Sequence, residues 1–244
     1  MPRLIETAQM KQSVIDQYCR GVLSQETLER LKRDEIIWHY SVHSFTENIG
    51  QEVLENILSL IPHDSERRIV GAQIRDELRH VEYFKKLLDK FGRDDRANFF
   101  ADSVKSVVLG LQTLSEKVFA FQIIIESISA AFCAWRRDFL NVPEFRDVDQ
   151  IVLFDEARHL KMGHSLLKTC NPEEWSIALT SERRKNILKQ INSICRETLR
   201  NQLVETLIPQ SLRSAIDVRV THLDSYITRK LIAETMLVQF DLTG

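Results

Sequence analysis

The sequence predicts an all-α protein, an antiparallel bundle of long helices, on three observations. Glycine and proline are scarce, seven and five in 244 residues. Apolar residues recur at spacings of three and four rather than two, the period of a helix face. The internal prolines, at 62, 143, 172 and 209, fall where these patterns start or stop, and there a missing backbone N–H is tolerated.

In chain order, residues 1–24 are expected to form a short leading helix. A long helix follows at about 25–60, ending before Pro62. The next runs about 65–91 and stops at Gly92. A third is expected over about 101–140 and ends in Asn141-Val142-Pro143, and a fourth over about 143–169, before Asn171-Pro172. Two further helices are expected at about 173–207 and 210–238, separated near Pro209. In the first of these, Ile187, Leu188, Ile191, Ile194, Cys195 and Leu199 make one apolar stripe that packs against the rest. The whole chain, 1–244, reads as one domain, with the bundle over about 25–170.

Composition limits the partners. A net charge of -2 leaves no basic footprint for nucleic acid or an anionic membrane. No apolar run reads as long enough to span a bilayer, and the N-terminal MPRLIETAQM lacks the apolar stretch of a secretory signal. The expectation is a cytoplasmic protein. The cysteines at 19, 133, 170 and 195 form no Cys-x-x-Cys pair, so zinc and iron–sulfur motifs are not indicated. Cys133 and Cys195 read as small buried hydrophobes.

The chemistry lies in two matching pentapeptides, Asp76-Glu77-Leu78-Arg79-His80 and Asp155-Glu156-Ala157-Arg158-His159. Glu and His three residues apart share a helix face, so each pair can approach a metal ion from one side. One Glu-x-x-His is weak evidence, but two copies of D-E-x-R-H in one chain are not. Each copy is also preceded by a Glu at the same distance: Glu47 lies 30 residues before Glu77, and Glu126 lies 30 before Glu156. About 14 residues separate Glu47 from the turn at Ile61-Pro62, roughly 20 Å of helix. The return to Glu77 is equally long, so both reach one depth in an antiparallel hairpin. The same holds from Glu126 to Glu156. Six candidate ligands, Glu47, Glu77, His80, Glu126, Glu156 and His159, therefore meet in one layer.

Glu126 is the only charged residue between Val118 and Trp135. A lone carboxylate in such a run is costly unless something compensates it, and metal ions would. Four carboxylates balance two divalent ions, and with two imidazoles they suit iron or manganese better than copper or zinc. Glu47 has Glu52 and Glu55 nearby, and the repeat spacing selects it. His43, one turn earlier, is open between a satisfied core histidine, a supporting group and a seventh ligand. Tyr40 and Tyr83 are candidates for a radical tyrosine but read more readily as buried structural tyrosines.

At these residues the sequence resembles the ferritin-like di-iron carboxylate superfamily, whose bundles carry a Glu on each of two helices and a Glu-x-x-His on each of the other two. The resemblance covers about residues 25–170 and implies a ferritin-like antiparallel four-helix bundle with additional C-terminal helices. The paired D-E-x-R-H form resembles the oxygen-activating branch: multicomponent monooxygenase hydroxylases, ribonucleotide reductase small subunits and p-aminobenzoate N-oxygenases. It implies that Asp76 orients His159, that Asp155 orients His80, and that Arg79 and Arg158 neutralise those aspartates. The N-oxygenase group has a further His one turn before its last ligand Glu, where this chain has Val152.

The function this implies is an oxidoreductase with two iron ions, manganese being admissible at either position. It would use O2 as co-substrate to oxidise a small organic molecule by hydroxylation, N-oxygenation or a related reaction. Phe119, Phe121 and Ile125 would wall a substrate pocket. The chain has no visible flavin, rubredoxin or iron–sulfur motif, so an external electron donor is expected as a partner. A homodimer through long helix faces is also expected. The alternatives are a ferritin-like ferroxidase or storage protein, a di-manganese or di-iron peroxide-decomposing enzyme, and a metal-free helical scaffold or interaction protein, which would leave Glu126 unexplained.

Overall fold

The structure is a computed structural model that describes residues 24–137, 143–169 and 179–205. Among the described residues all regular structure is helical. Helix α1 spans Gln25–Leu60 and α2 Asp64–Phe91. A 3-10 turn at Asp95–Ala97 leads into α3, Asn98–Gly110. Then come α4, Leu114–Val118, a π-helical segment, Phe119–Ile125, and α5, Glu126–Trp135. Helix α6 is Pro143–Thr169 and α7 is Ser181–Glu205. The leading helix expected in 1–24, the turn residues 141–142, the start of the helix expected from 173 and the whole of that expected at 210–238 lie outside the described residues.

Side-chain contacts give the register. Arg67 donates to the carbonyls of Leu58 and Ile61, Glu47 meets His80, and the Asp94 N–H reaches Ser41 Oγ. As positions fall along α1 they rise along α2, so the two helices run antiparallel. The second hairpin follows the same rule. Gly163 lies against Gln122, Ser129 bonds Glu156, and Arg136 bonds Asp149. The hairpins meet through α2 and α6. Helix α3 crosses from one to the other along α1, and α7 packs over α3 and the π segment. Ile187, Ile191 and Cys195 of α7 are buried in the main core.

One expected element is corrected. The helix read as continuous over 101–140 is broken at 111–113, where Leu111 is extended. Thr113 then caps a new helix: its Oγ1 accepts from the Glu116 N–H, and Glu116 Oε2 accepts from the Thr113 N–H. This reciprocal pair satisfies donors that a helix start leaves orphaned. Lys117 closes the other side by donating to the Val108 and Leu109 carbonyls. Arg183 of α7 pairs with Glu116 and fastens the last described helix to this corner. Thr113-Leu-Ser-Glu116 spells the capping box, but the unbroken apolar pattern on both sides hid it.

The reading that no apolar run could span a bilayer is corrected too. Leu114–Trp135 is 22 residues long and apolar enough by length and composition. In the fold it is the central helix, with 89% of its most apolar window inside the protein. A helix hydrophobic on all sides can be surrounded by protein as well as by lipid.

Candidate metal centre

Helix α1 contributes Glu47, α2 contributes Glu77 and His80, the first residue of α5 is Glu126, and α6 contributes Glu156 and His159. All six are buried, none more than 4% exposed. Two three-donor groups arise. Glu47, Glu77 and His80 bring ligand atoms within 4.8 Å of one another, and so do Glu77, Glu126 and His159. Glu77 belongs to both. Its Oε2 lies 3.8 Å from His80 Nδ1, while its Oε1 lies 3.3 Å from His159 Nδ1. His159 Nδ1 is also 3.4 Å from Glu126 and 3.3 Å from Glu156.

The far nitrogen of each imidazole faces the aspartate of the other motif. His80 Nε2 is 3.1 Å from Asp155 Oδ2, and His159 Nε2 is 3.4 Å from Asp76 Oδ2. An aspartate accepting the Nε2 proton leaves Nδ1 as the metal-facing atom. Arg79 bonds Asp155 at 2.6 Å and pairs with Asp76 at 2.9 Å; Arg158 bonds Asp76 at 2.5 Å and Asp155 at 2.7 Å. Both guanidiniums are about half exposed, so this cross-braced square closes the site toward solvent.

The protein groups alone are poorly matched in charge. Burial pushes the Glu77 carboxyl well up, and Glu47 and Glu126 add to it. Burial likewise raises Glu126, with Glu156 adding. Glu47 and Glu156 move down instead. Burial opposes this, but bonds from Glu77 and Glu126 and the histidines outweigh it. Burial would lower His80, yet Glu47 and Asp155 lift it to about 10. His159 is raised against burial by Asp76, Glu126 and Glu156. Without cations, burial favours the protonated forms of Glu77 and Glu126, and the surrounding carboxylates favour the protonated forms of His80 and His159. Divalent ions would replace those protons, so the donor set fits a metal pair.

Sequence reading missed a buried polar layer around these groups. Gln73 donates to Glu126 Oε1 at 2.7 Å, and Gln122 donates to Gln73 at 2.6 Å. The signal was available: Gln73 and Gln122 stand four residues before Glu77 and Glu126, as His43 stands before Glu47. Ser129 donates to Glu156 Oε1 at 2.6 Å. Arg136, fully buried, pairs with Asp149 at 2.7 Å, and Tyr40 donates to the same carboxylate. Arg136-Arg137 looks like a solvated pair in sequence, so nothing marked Arg136 as internal. Tyr40 is buried as expected, stacked on Phe145 at 3.9 Å, whereas Tyr83 is half-buried.

A partly open cavity adjoins the cluster. Val42, Phe100, Ile125, Ile128 and Phe132 form its apolar wall, and Ser129 and His43 stand at the edge nearest Glu47 and Glu156. Of the three residues expected to wall a pocket, Ile125 lines this cavity. Phe119 and Phe121 do not; they are packed into the core. Phe121 instead packs toward α1, where its ring end lies 3.4 Å from the position a Cβ on Gly50 would take.

No family model, curated protein or solved structure matches the chain.

Proposed function

We propose that this chain is a non-haem di-iron oxidoreductase, built as a ferritin-like four-helix bundle, that uses O2 to oxidise a small organic substrate. The observation that supports it most is the division of Glu77, one oxygen toward each imidazole, between two groups that each offer two carboxylates and a histidine. Such an arrangement suits a pair of adjacent ions, and its oxygen and imidazole donors suit iron, with manganese admissible. Two ferrous ions held there would supply electrons and open positions for oxygen chemistry.

The chain's own groups have separate tasks in this reading. Asp155 and Asp76 keep the Nε2 protons of His80 and His159 and free Nδ1 for the metals. Glu77 and Glu126 release their protons as cations arrive. The apolar wall of Ile125, Ile128 and Phe132 marks the side from which an apolar substrate would approach Glu47 and Glu156, with the cavity widening to admit it. Electrons for repeated turnover would come from a separate donor protein.

Anaerobic Fe(II) loading followed by oxygen exposure tests the proposal. About two iron per chain and a transient visible absorption are expected, both lost in Glu126→Ala. Absence of stoichiometric uptake by the parent would sink the metal-site assignment. Uptake with assembly into a large hollow shell would favour storage over oxidation.

A further inference from the structure

His43 reaches the cluster without belonging to either Glu-x-x-His motif. Its Nε2 lies 2.5 Å from Glu47 Oε1 and 3.0 Å from Ser129 Oγ. Taken alone, that places His43 with Glu47 and Glu156 as a third group able to hold an ion. The other side of the ring decides otherwise. Arg136 Nη2 lies 2.8 Å from His43 Nδ1. A guanidinium has only donors, so Nδ1 must accept. A neutral imidazole whose Nδ1 accepts carries its hydrogen on Nε2. That hydrogen points at Glu47 and Ser129 and occupies the position a metal would need. Metal on Nε2 of a neutral ring would move the hydrogen to Nδ1, against the N–H of Arg136.

Arg136 cannot readily turn away. Its Nε and Nη2 both bond Asp149 Oδ1, at 2.9 and 2.7 Å, and Nη2 also reaches Cys133 Sγ at 3.2 Å. Its guanidinium lies over the Tyr40 ring at 4.5 Å. Burial would weaken its charge, but Asp149 holds it firmly cationic. Resting on the two-metal reading above, we infer that His43 is a positioning residue and not a ligand: Arg136 fixes it as a donor to Glu47 and, through Ser129, to Glu156. The relay runs one way. Arg136 donates to His43, His43 donates to Glu47 and to Ser129, and Ser129 donates to Glu156. It reaches carboxylates on both hairpins, Glu47 on α1 and Glu156 on α6. The bonds from His43 and Ser129 restrict how these two carboxylates rotate, as the bond from Gln73 restrains Glu126. The centre then has two imidazole ligands, His80 and His159.

The test is nuclear magnetic resonance of ring nitrogens in the full chain labelled with 15N-histidine, metal-free and then loaded with Zn(II) as a diamagnetic probe. His43→Gln, which keeps an N–H donor near the Nε2 position, assigns the His43 signals. The expected result is Nε2–H with an accepting Nδ1 for His43 in both states, while Zn(II) shifts only His80 and His159. His43→Gln should bind the same number of Zn(II) ions within a few-fold of the parent affinity. His43→Phe, which removes the donor, should weaken binding by about 10–100-fold. A zinc-shifted Nε2 in His43, or a lost ion in His43→Gln, would overturn the inference. An Nδ1–H tautomer in the metal-free chain would overturn it whatever zinc does. If zinc does not bind while metal-free His43 shows Nε2–H, the two-metal reading falls and the donor relay stands.

Discussion

The Glu126 carboxyl sits in the most apolar helical stretch among the described residues, bonded by Gln73, and burial with Glu156 nearby drives it toward its neutral form. Glu126→Gln should therefore leave the metal-free Tm unchanged or raise it, because a neutral isostere removes the need to bury another acid. The same substitution should abolish the rise in Tm that metal gives the parent. Thermal scans with and without Fe(II) separate the two effects, and a metal-free Tm several degrees lower would contradict the assignment. His80 gives a pH prediction. Its folded pKa, about 10, lies above its ordinary value of 6.5. Its contribution to metal-free stability is thus fully present below about pH 6.5 and is lost as pH rises through about 10. Metal must displace the proton on Nδ1, so affinity should rise over the same interval. Opposite slopes of metal-free Tm and metal affinity between pH 6.5 and 9 are the expected outcome, and parallel slopes would refute it.

The elements bring these residues together through two close approaches. At Gly163 of α6, a Cβ would lie 2.8 Å from Gln122 Cβ and 3.1 Å from the Gln122 carbonyl oxygen. Only a residue without a side chain lets α6 ride this close to the π segment, and the adjacent Gln122 anchors Gln73 on Glu126. Gly163→Ala should destabilise the fold by roughly 1–3 kcal/mol, the range for overpacking, and weaken metal binding through the displaced glutamines. Urea midpoints and metal titration check the two parts; an unchanged midpoint would show that the helices do not need this contact. Thr113 holds the other junction. Thr113→Ala should lose about 1 kcal/mol and leave metal stoichiometry intact, because the cap lies at the far end of the segment that carries Glu126.

Across the whole molecule, the six-residue cluster joins both hairpins, so on the proposed two-metal reading ion binding and global stability should be linked. Glu47 and His80 come from the first hairpin, and Glu126 and His159 from the second. An ion that binds only when all are assembled stabilises by about 2.7 kcal/mol at one hundred times its dissociation constant. For a domain of this size that is a rise in Tm of roughly 5–10 °C. Differential scanning calorimetry against Fe(II) or Mn(II) concentration would measure it. A Tm independent of metal would mean the six residues do not form a binding site.

The sequence by itself determined the helical class, the extents of α1, α2 and α6, and the six-residue cluster. Period, turn residues and a duplicated motif are local features, and the 30-residue spacing converts them into a common depth. It also specified the exchange of partners between Asp76–His159 and Asp155–His80, through the resemblance that the motifs carry. Other features depended on contacts between residues far apart in the chain. The break at 111–113 is held by Lys117 and by Arg183 across on α7, and a continuous apolar pattern does not record it. The burial of Arg136 depends on Asp149 and Tyr40, and the direction of the His43 hydrogen depends on Arg136. A donor's partner is chosen by the neighbour that packing delivers. Only the tertiary structure could therefore decide which nitrogen of His43 faces the centre and what that nitrogen is able to do.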